Sequence, residues 1–191
     1  SKGGVYLHGK GGWKKVTAPA HITKNRGAYL SKDRDAEGLM LSDSIAANIT
    51  LPSEGDIAGP LAFVSPRKKR EIVEKAVEKF EIKCASPLAK VNSLSGGNKQ
   101  KVNLSRWMVK DLDFIILDCP TRGVDVGVKA YIYGLLETVK KAGLAILLIS
   151  DELPEVIGMS DRLLVMKDGR ISAILERDSG FAEDEIVEAM M

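Results

Sequence analysis

Two short runs of consecutive apolar residues, each closed by an acid, organise the second half of the chain. Asp113-Phe114-Ile115-Ile116-Leu117 ends in Asp118, and Leu144 to Ile149 is followed by Ser150-Asp151. Runs this short, without polar alternation, predict strands buried on both faces of a sheet. Between them Val126 to Ala142 carries Leu135, Leu136 and Val139 at helical spacing. Lys140 and Lys141 suit its C-terminal dipole, and Gly143 ends it. Strand, helix, strand in that order predicts a right-handed parallel crossover, hence an α/β sheet.

The remaining pattern supplies weaker elements. Val5-Tyr6-Leu7 and Ala28-Tyr29-Leu30 read as short strands in a Gly- and Lys-rich opening. From Ser44 to Ala89 the character is helical. Ser65 is a good N-cap, Pro66 suits the first position, and Ile72, Val73, Ala76, Val77 and Phe80 share one face. The run Arg67-Lys68-Lys69-Arg70 reads as that helix's solvated side. Further helices are expected from Ser95 through Lys110, near Glu152–Gly158 and over Ala182–Met190. Asp168-Gly169, between two apolar stretches, predicts a hairpin turn.

Composition narrows the field by exclusion. Hydrophobic residues make up 45 % and charged residues 28 % of 191, the balance of one ordinary globular domain. A net charge of +2, from 28 basic and 26 acidic residues, leaves no electrostatic footprint for nucleic acid. Cys84 and Cys119 make no disulfide framework, and two histidines are too few for a zinc site. A reducing cytoplasm is the expected setting. No apolar run reaches the roughly 18 residues of a membrane span, so membrane association is expected through a partner.

The most informative segment is Leu94-Ser95-Gly96-Gly97-Asn98-Lys99-Gln100, opening a helix. Paired glycines let backbone approach a ligand closely, and a helix N-terminus presents unpaired amides with a positive dipole end. Ser95 adds a hydroxyl. The bland alternative is a simple N-cap followed by a flexible turn; as an anion site the segment suits a terminal phosphate. Downstream, in order, stand the strand ending Leu117-Asp118, the turn Pro120-Thr121-Arg122-Gly123-Val124-Asp125, and the strand ending Ser150-Asp151-Glu152.

That ordered set resembles the signature motif, Walker B strand, D-loop and switch region of ABC ATPases. Leu94–Gln100, Pro120–Gly127, Pro154–Met166 and the segment Tyr29–Arg34 look like the C-terminal ATPase half of simple-sugar importers. The resemblance implies a P-loop-type α/β core with a parallel sheet and a helical subdomain. Residues 1–43 would be a core remnant up to the Q-loop, 44–93 the helical subdomain and 94–191 the rest of the core. It implies ATP and Mg2+ as cofactors of the full assembly. Implied partners are a second ATP-binding half, transmembrane permease subunits and, indirectly, a solute-binding protein, at the cytoplasmic face of the membrane and without nucleic acid. Ser95, Gly96, Gly97, Gln100 and Asp125 would contact ATP held by the partner half. Asp118 would be a magnesium ligand through water, with Lys32 at the Q-loop position.

The sequence departs from an active pattern. No complete G-x-x-x-x-G-K-[ST] occurs. The near-match Gly4–Lys10 is followed by Gly11, has bulky strand-like intervening residues, and is trailed by Gly12 and Pro19, which oppose a long helix. By resemblance the chain starts downstream of the phosphate loop, as part of a longer polypeptide. Cys119 stands where a glutamate would polarise water, and Asp151 where a histidine would reach the γ-phosphate. No intact catalytic residue is therefore expected, and the chain alone is predicted inactive. Three readings remain: the signature-bearing half of an importer for a simple sugar (or for nucleosides or an autoinducer), a degenerate structural half docking membrane subunits, or a soluble ABC-type ATPase acting on DNA or ribosomes.

Overall fold

A computed structural model describes residues 4–9, 12–58 and 64–191. Three parallel strands, β3 (Gly27–Leu30), β4 (Phe114–Asp118) and β5 (Ala145–Ile149), lie side by side with β4 in the middle. Leu30 registers with Leu117, and Leu117 with Leu148. Helices α5 (Gly96–Met108) and α6 (Val126–Lys141) supply side chains to one face. There Leu30, Leu104, Ile115, Leu117, Ile132 and Leu136 are buried together.

The opposite face overturns the expectation of two buried sides. Leu147 is 52 % and Ile149 46 % exposed, and Tyr29 also faces outward. Among the described residues β5 pairs only with β4, so its other edge is bare. An unbroken apolar run registers what a strand requires to be covered; it does not supply the cover. Parallel sheets are ordinarily sandwiched between layers, and this one is covered on one side.

Between β3 and β4 the chain makes a helical unit of α2 (Ile45–Thr50), α3 (Glu54–Ile57) and α4 (Pro66–Lys79). Val73, Ala76 and Phe80 of the predicted apolar face pack with Ile45, Ile49 and Val102. The expected cap at Ser65 is not made: its hydroxyl bonds no helix amide, and the start rests on Pro66, whose fixed φ suits a first helical residue. Asn48 is fully buried and satisfied, accepting from Met40 N–H at 2.8 Å and donating to Met40 O and Ser44 O at 3.0 Å each. The segment before α2 is thereby tied to it.

The opening residues form a hairpin of β1 (Val5–Gly9) and β2 (Gly12–Val16), followed by α1 (Pro19–Lys24). Neither β2 nor α1 was legible in the sequence, because Gly12-Trp13-Lys14-Lys15-Val16 carries no clean alternation. Val5–Gly9 runs as an extended strand where a phosphate loop would have to curl; Lys10 and Gly11 of the near-match lie outside the described residues. At the other end α7 (Leu153–Met159), the hairpin β6 (Arg162–Lys167) and β7 (Arg170–Glu176), and α8 (Glu183–Met190) form a third cluster around Leu163, Val165 and Ile186. Asp168 and Gly169 turn that hairpin at φ +49° and +74°, the pair of positive angles a two-residue turn demands.

The two sheet faces should respond oppositely to truncation. Ile115→Ala should cost about 2–5 kcal/mol, whereas Leu147→Ala should stay within about 0.5 kcal/mol, read from urea unfolding midpoints at constant slope.

Candidate functional site

The turn that opens α5 is exposed at its tip and locked at its base. Ser95 has the extended backbone of an N-cap, and its Oγ accepts from Asn98 N–H at 3.4 Å and from Asn98 Nδ2 at 3.0 Å. Asn98 Oδ1 in turn accepts from Lys83 N–H at 2.8 Å. Ser95 faces solvent, Gly96 is half-buried and Gly97 buried. A Cβ on Gly97 would come within 2.7 Å of Val128 Cγ2, so only glycine lets α5 approach α6 this closely. The tip of the turn at Ser95 is thus open to solvent, while its second glycine seats it on the core.

Gln100 is placed differently from a surface ligand. It is buried, and its Nε2 donates to Pro120 O in the turn that follows β4. Asp125 closes the same turn: its Oδ1 accepts from Val128 N–H at 3.0 Å and caps α6. Its carboxylate also lies 3.6 Å from where a Cβ on Gly97 would stand. Sequence reasoning missed two further anchors. Thr121 Oγ1 donates to Glu155 Oε1 at 2.7 Å, and both side chains are buried. Glu155 Oε2 has no protein partner. A glutamate inside an ordinary helical pattern gives no sign of burial, so no sequence signal marked it.

At the carboxyl end of the sheet, Asp118 Oδ2 accepts from Tyr29 OH at 3.3 Å. Cys119 follows at φ +45°, a left-handed backbone that β4 must adopt to leave the sheet. Its Sγ donates to Asp151 Oδ1 at 3.7 Å, and Lys32 Nζ pairs with Asp151 Oδ2 at 3.1 Å. The three residues that depart from the active pattern thus meet one another. The hydrogen bond from Lys32 holds the Asp151 carboxyl below the ordinary carboxylate range. The same bond, helped by the Asp151 charge, raises the Lys32 ammonium. Burial pushes the Cys119 thiol up, with the Asp151 charge adding to it. A neutral thiol is a poor base for activating water.

By themselves these residues do not enclose a divalent cation. No group of three or more His, Cys, Asp or Glu that could hold a metal exists among the described residues. Asp118 has a phenol for its partner, and Asp151 already has an ammonium in the place a cation would take. Beside this end of the sheet, a cavity of about 740 Å3 opens between the β1–β2 hairpin, α1, β3 and α5. Val5, Val16, Ile22, Trp107 and Ile116 give it apolar walls. It is continuous with the uncovered sheet face at Tyr29.

A family model described as ABC transporter matches residues 8–122. The chain belongs to the ABC transporter family. It is 39 % identical over 188 residues to the ribose import ATP-binding protein RbsA of Geobacillus kaustophilus, covering 98 % of this chain and 37 % of that protein. It is 41 % identical to a putative ribose/galactose/methyl galactoside import ATP-binding protein of Rhizobium etli, covering 95 % and 34 %. Against the L-arabinose transport ATP-binding protein AraG of Geobacillus stearothermophilus, identity is 44 % over 82 % of this chain and 30 % of that one. The chain thus spans about a third of the length of these curated relatives. Among solved structures, a dimeric ATP-binding cassette in a post-hydrolysis state bound to ADP and Pi superposes with a TM-score of 0.75 at 19 % identity, over 92 % of this chain and 74 % of that one. The ABC ATPase fold follows, with the helical unit inserted between β3 and β4.

In this ABC cassette the Lys32–Asp151 pair fixes a testable acidity. Because the Asp151 carboxyl is lowered in the folded state, its contribution to stability is present above the ordinary carboxylate range and lost as pH falls through the lowered value. Lys32→Met should return Asp151 to the ordinary range, followed by carboxyl NMR titration; an unmoved Asp151 would show that the pair carries no charge coupling.

Proposed function

We propose that the chain is the signature-bearing part of an energy-coupling ATP-binding subunit of an ABC importer, working at the cytoplasmic face of a membrane. One observation supports this reading: Ser95, at the tip of the turn that opens α5, faces solvent, while Gly97 and Gln100 are buried beneath it. A helix N-terminus held rigidly and presented outward suits a terminal phosphate brought by another molecule. Ser95, Gly96 and Gly97 would clamp the γ-phosphate of ATP held on a second ATP-binding half. Asp125, at the adjoining turn, would align that half. The ATP gripped by this turn, with its Mg2+, would be held by the partner's phosphate loop.

Within its own half the chain would be completed by a strand, phosphate loop and helix outside these residues. The bare edge of β5, the exposed Leu147 and Ile149, and the apolar cavity beside Tyr29 support that reading. The helical unit of residues 44–93 would dock the permease subunits. No helix among the described residues is long and apolar enough to cross a membrane, so the cargo path would lie in those subunits. The names of the relatives above, all concerned with ribose, galactosides or arabinose, support a simple sugar as cargo.

A second reading is favoured by the Lys32–Asp151–Cys119 contacts: a structural half that docks permeases and transmits closure without touching ATP. Ser95→Ala in the importer assembled with its partner half and permeases separates the two. Loss of a hydrogen bond to a charged phosphate should lower ATP turnover at least about tenfold. Unchanged turnover would leave the structural reading standing instead.

A further inference from the structure

The segment after β3 contains a cation, Arg34, to which the reading above gives no role. Arg34 begins a single π-helical turn, Arg34–Gly38, whose start is capped by Asp33 Oδ1 accepting from Ala36 N–H at 3.0 Å. Its side chain, 18 % exposed, crosses to the D-loop. Nη1 donates to Arg122 O at 3.0 Å and Nη2 to Gly123 O at 3.4 Å. Gly123 stands at φ +66°, in the left-handed region, where the chain turns both carbonyls toward the one guanidinium. The same Nη2 would lie 3.1 Å from a Cβ on Gly96. One planar cation thus touches the signature turn and spans two consecutive D-loop carbonyls.

Further links join the π-turn to α5. Lys99 Nζ pairs with Asp35 Oδ2 at 3.0 Å, and Arg106 donates to Gly38 O. The D-loop is held on its other sides by Gln100 at Pro120 O and by Glu155 at Thr121. With Gln100 and Glu155 buried, Arg34 is the tether on the open side of this loop. It is also the tether whose own segment follows directly on Lys32, which pairs with Asp151.

We infer that Arg34 is a positioning residue that clamps the D-loop against the signature turn and couples both to the Ser31–Gly38 segment. Guanidinium chemistry suits the task. Two donors in one rigid plane serve two successive carbonyls at a preset spacing, which a lysine ammonium, with all its donors on one nitrogen, does not offer. Charge assistance makes such bonds stronger than neutral ones. A shift of Ser31–Gly38 therefore reaches Gly96 and Gly123 together, so the surface facing a second half moves as a unit. The inference rests on the proposed function for its consequence in catalysis, though not for the tether itself.

The test has two arms. In the chain alone, hydrogen exchange is followed at the amides of 121–125, with Arg67→Ala on exposed α4 as a charge-matched control. Arg34→Ala should speed exchange there about tenfold with α4 unchanged, while the control has no effect. Unaltered exchange at 121–125 overturns the inference. Should Arg34→Ala unfold the chain, Arg34→Lys, which keeps the charge and loses the fork, is read the same way. In the assembled importer, Arg34→Ala should lower ATP turnover about tenfold at unchanged half-saturating ATP, with Arg34→Lys recovering only part. If Ser95→Ala lowers turnover and Arg34→Ala does not, the inference fails. If Ser95→Ala is silent as well, the functional reading fails and the exchange result alone judges the tether.

Discussion

Helix α5 is packed from two sides at once. Val102 enters the cluster built by α2 and α4, and Leu104 enters the cluster beneath the parallel sheet. A 13-residue helix with two apolar flanks has no freedom to roll or slide, because either movement would open a cavity on one side or a clash on the other. Its N-terminal turn is consequently presented at a fixed angle. Gly97 sets the depth of that presentation, since any larger residue would push α5 off Val128. A phosphate clamp built from backbone amides needs such rigidity, for its strength lies in dipoles that do not reorganise when the anion arrives.

The same wedge explains why the D-loop is so well anchored. Gln100 projects from the buried side of α5 onto Pro120 O, so the loop leaving β4 is registered to the helix before it. Glu155 takes Thr121 from behind. What reaches the surface is a compact patch of Ser95, Gly96, Gly123 and Asp125, drawn from two segments and bridged by Arg34. The neighbouring carboxyl end of the sheet is chemically quiet. Lys32, Cys119 and Asp151 satisfy one another, so the positions at which other ABC cassettes would place ionic and basic groups are internally neutralised. A rigidly held turn beside a mutually paired Lys32, Cys119 and Asp151 suits the positioning role proposed above.

The sheet is organised asymmetrically around that patch. One face carries α5 and α6; the other shows Tyr29, Leu147 and Ile149, with the bare edge of β5 alongside. Apolar area of this kind is uncovered hydrophobic surface, and among the described residues the outer edge of β5 has no strand partner. The β1–β2 hairpin and α1 stand off from it, leaving the cavity.

The sequence alone determined a good deal. Apolar runs ending at Asp118 and Asp151, with a helix-patterned stretch between, were enough for a parallel α/β core. Ser95-Gly96-Gly97, read with the turn and strands downstream, was enough for an exposed, N-capped turn within an ABC-type cassette. These features are local: period, capping chemistry and glycine freedom are written in neighbouring residues. Whether β5 was covered on both faces, whether Gln100 faced the nucleotide or the core, and which groups answer Lys32 and Arg34 were decided only by tertiary structure. Each depends on segments 20 to 119 residues apart in the chain, as Gln100–Pro120 and Lys32–Asp151 show. Burial, pairing and charge compensation are properties of the packed whole, and no window along the chain contains them.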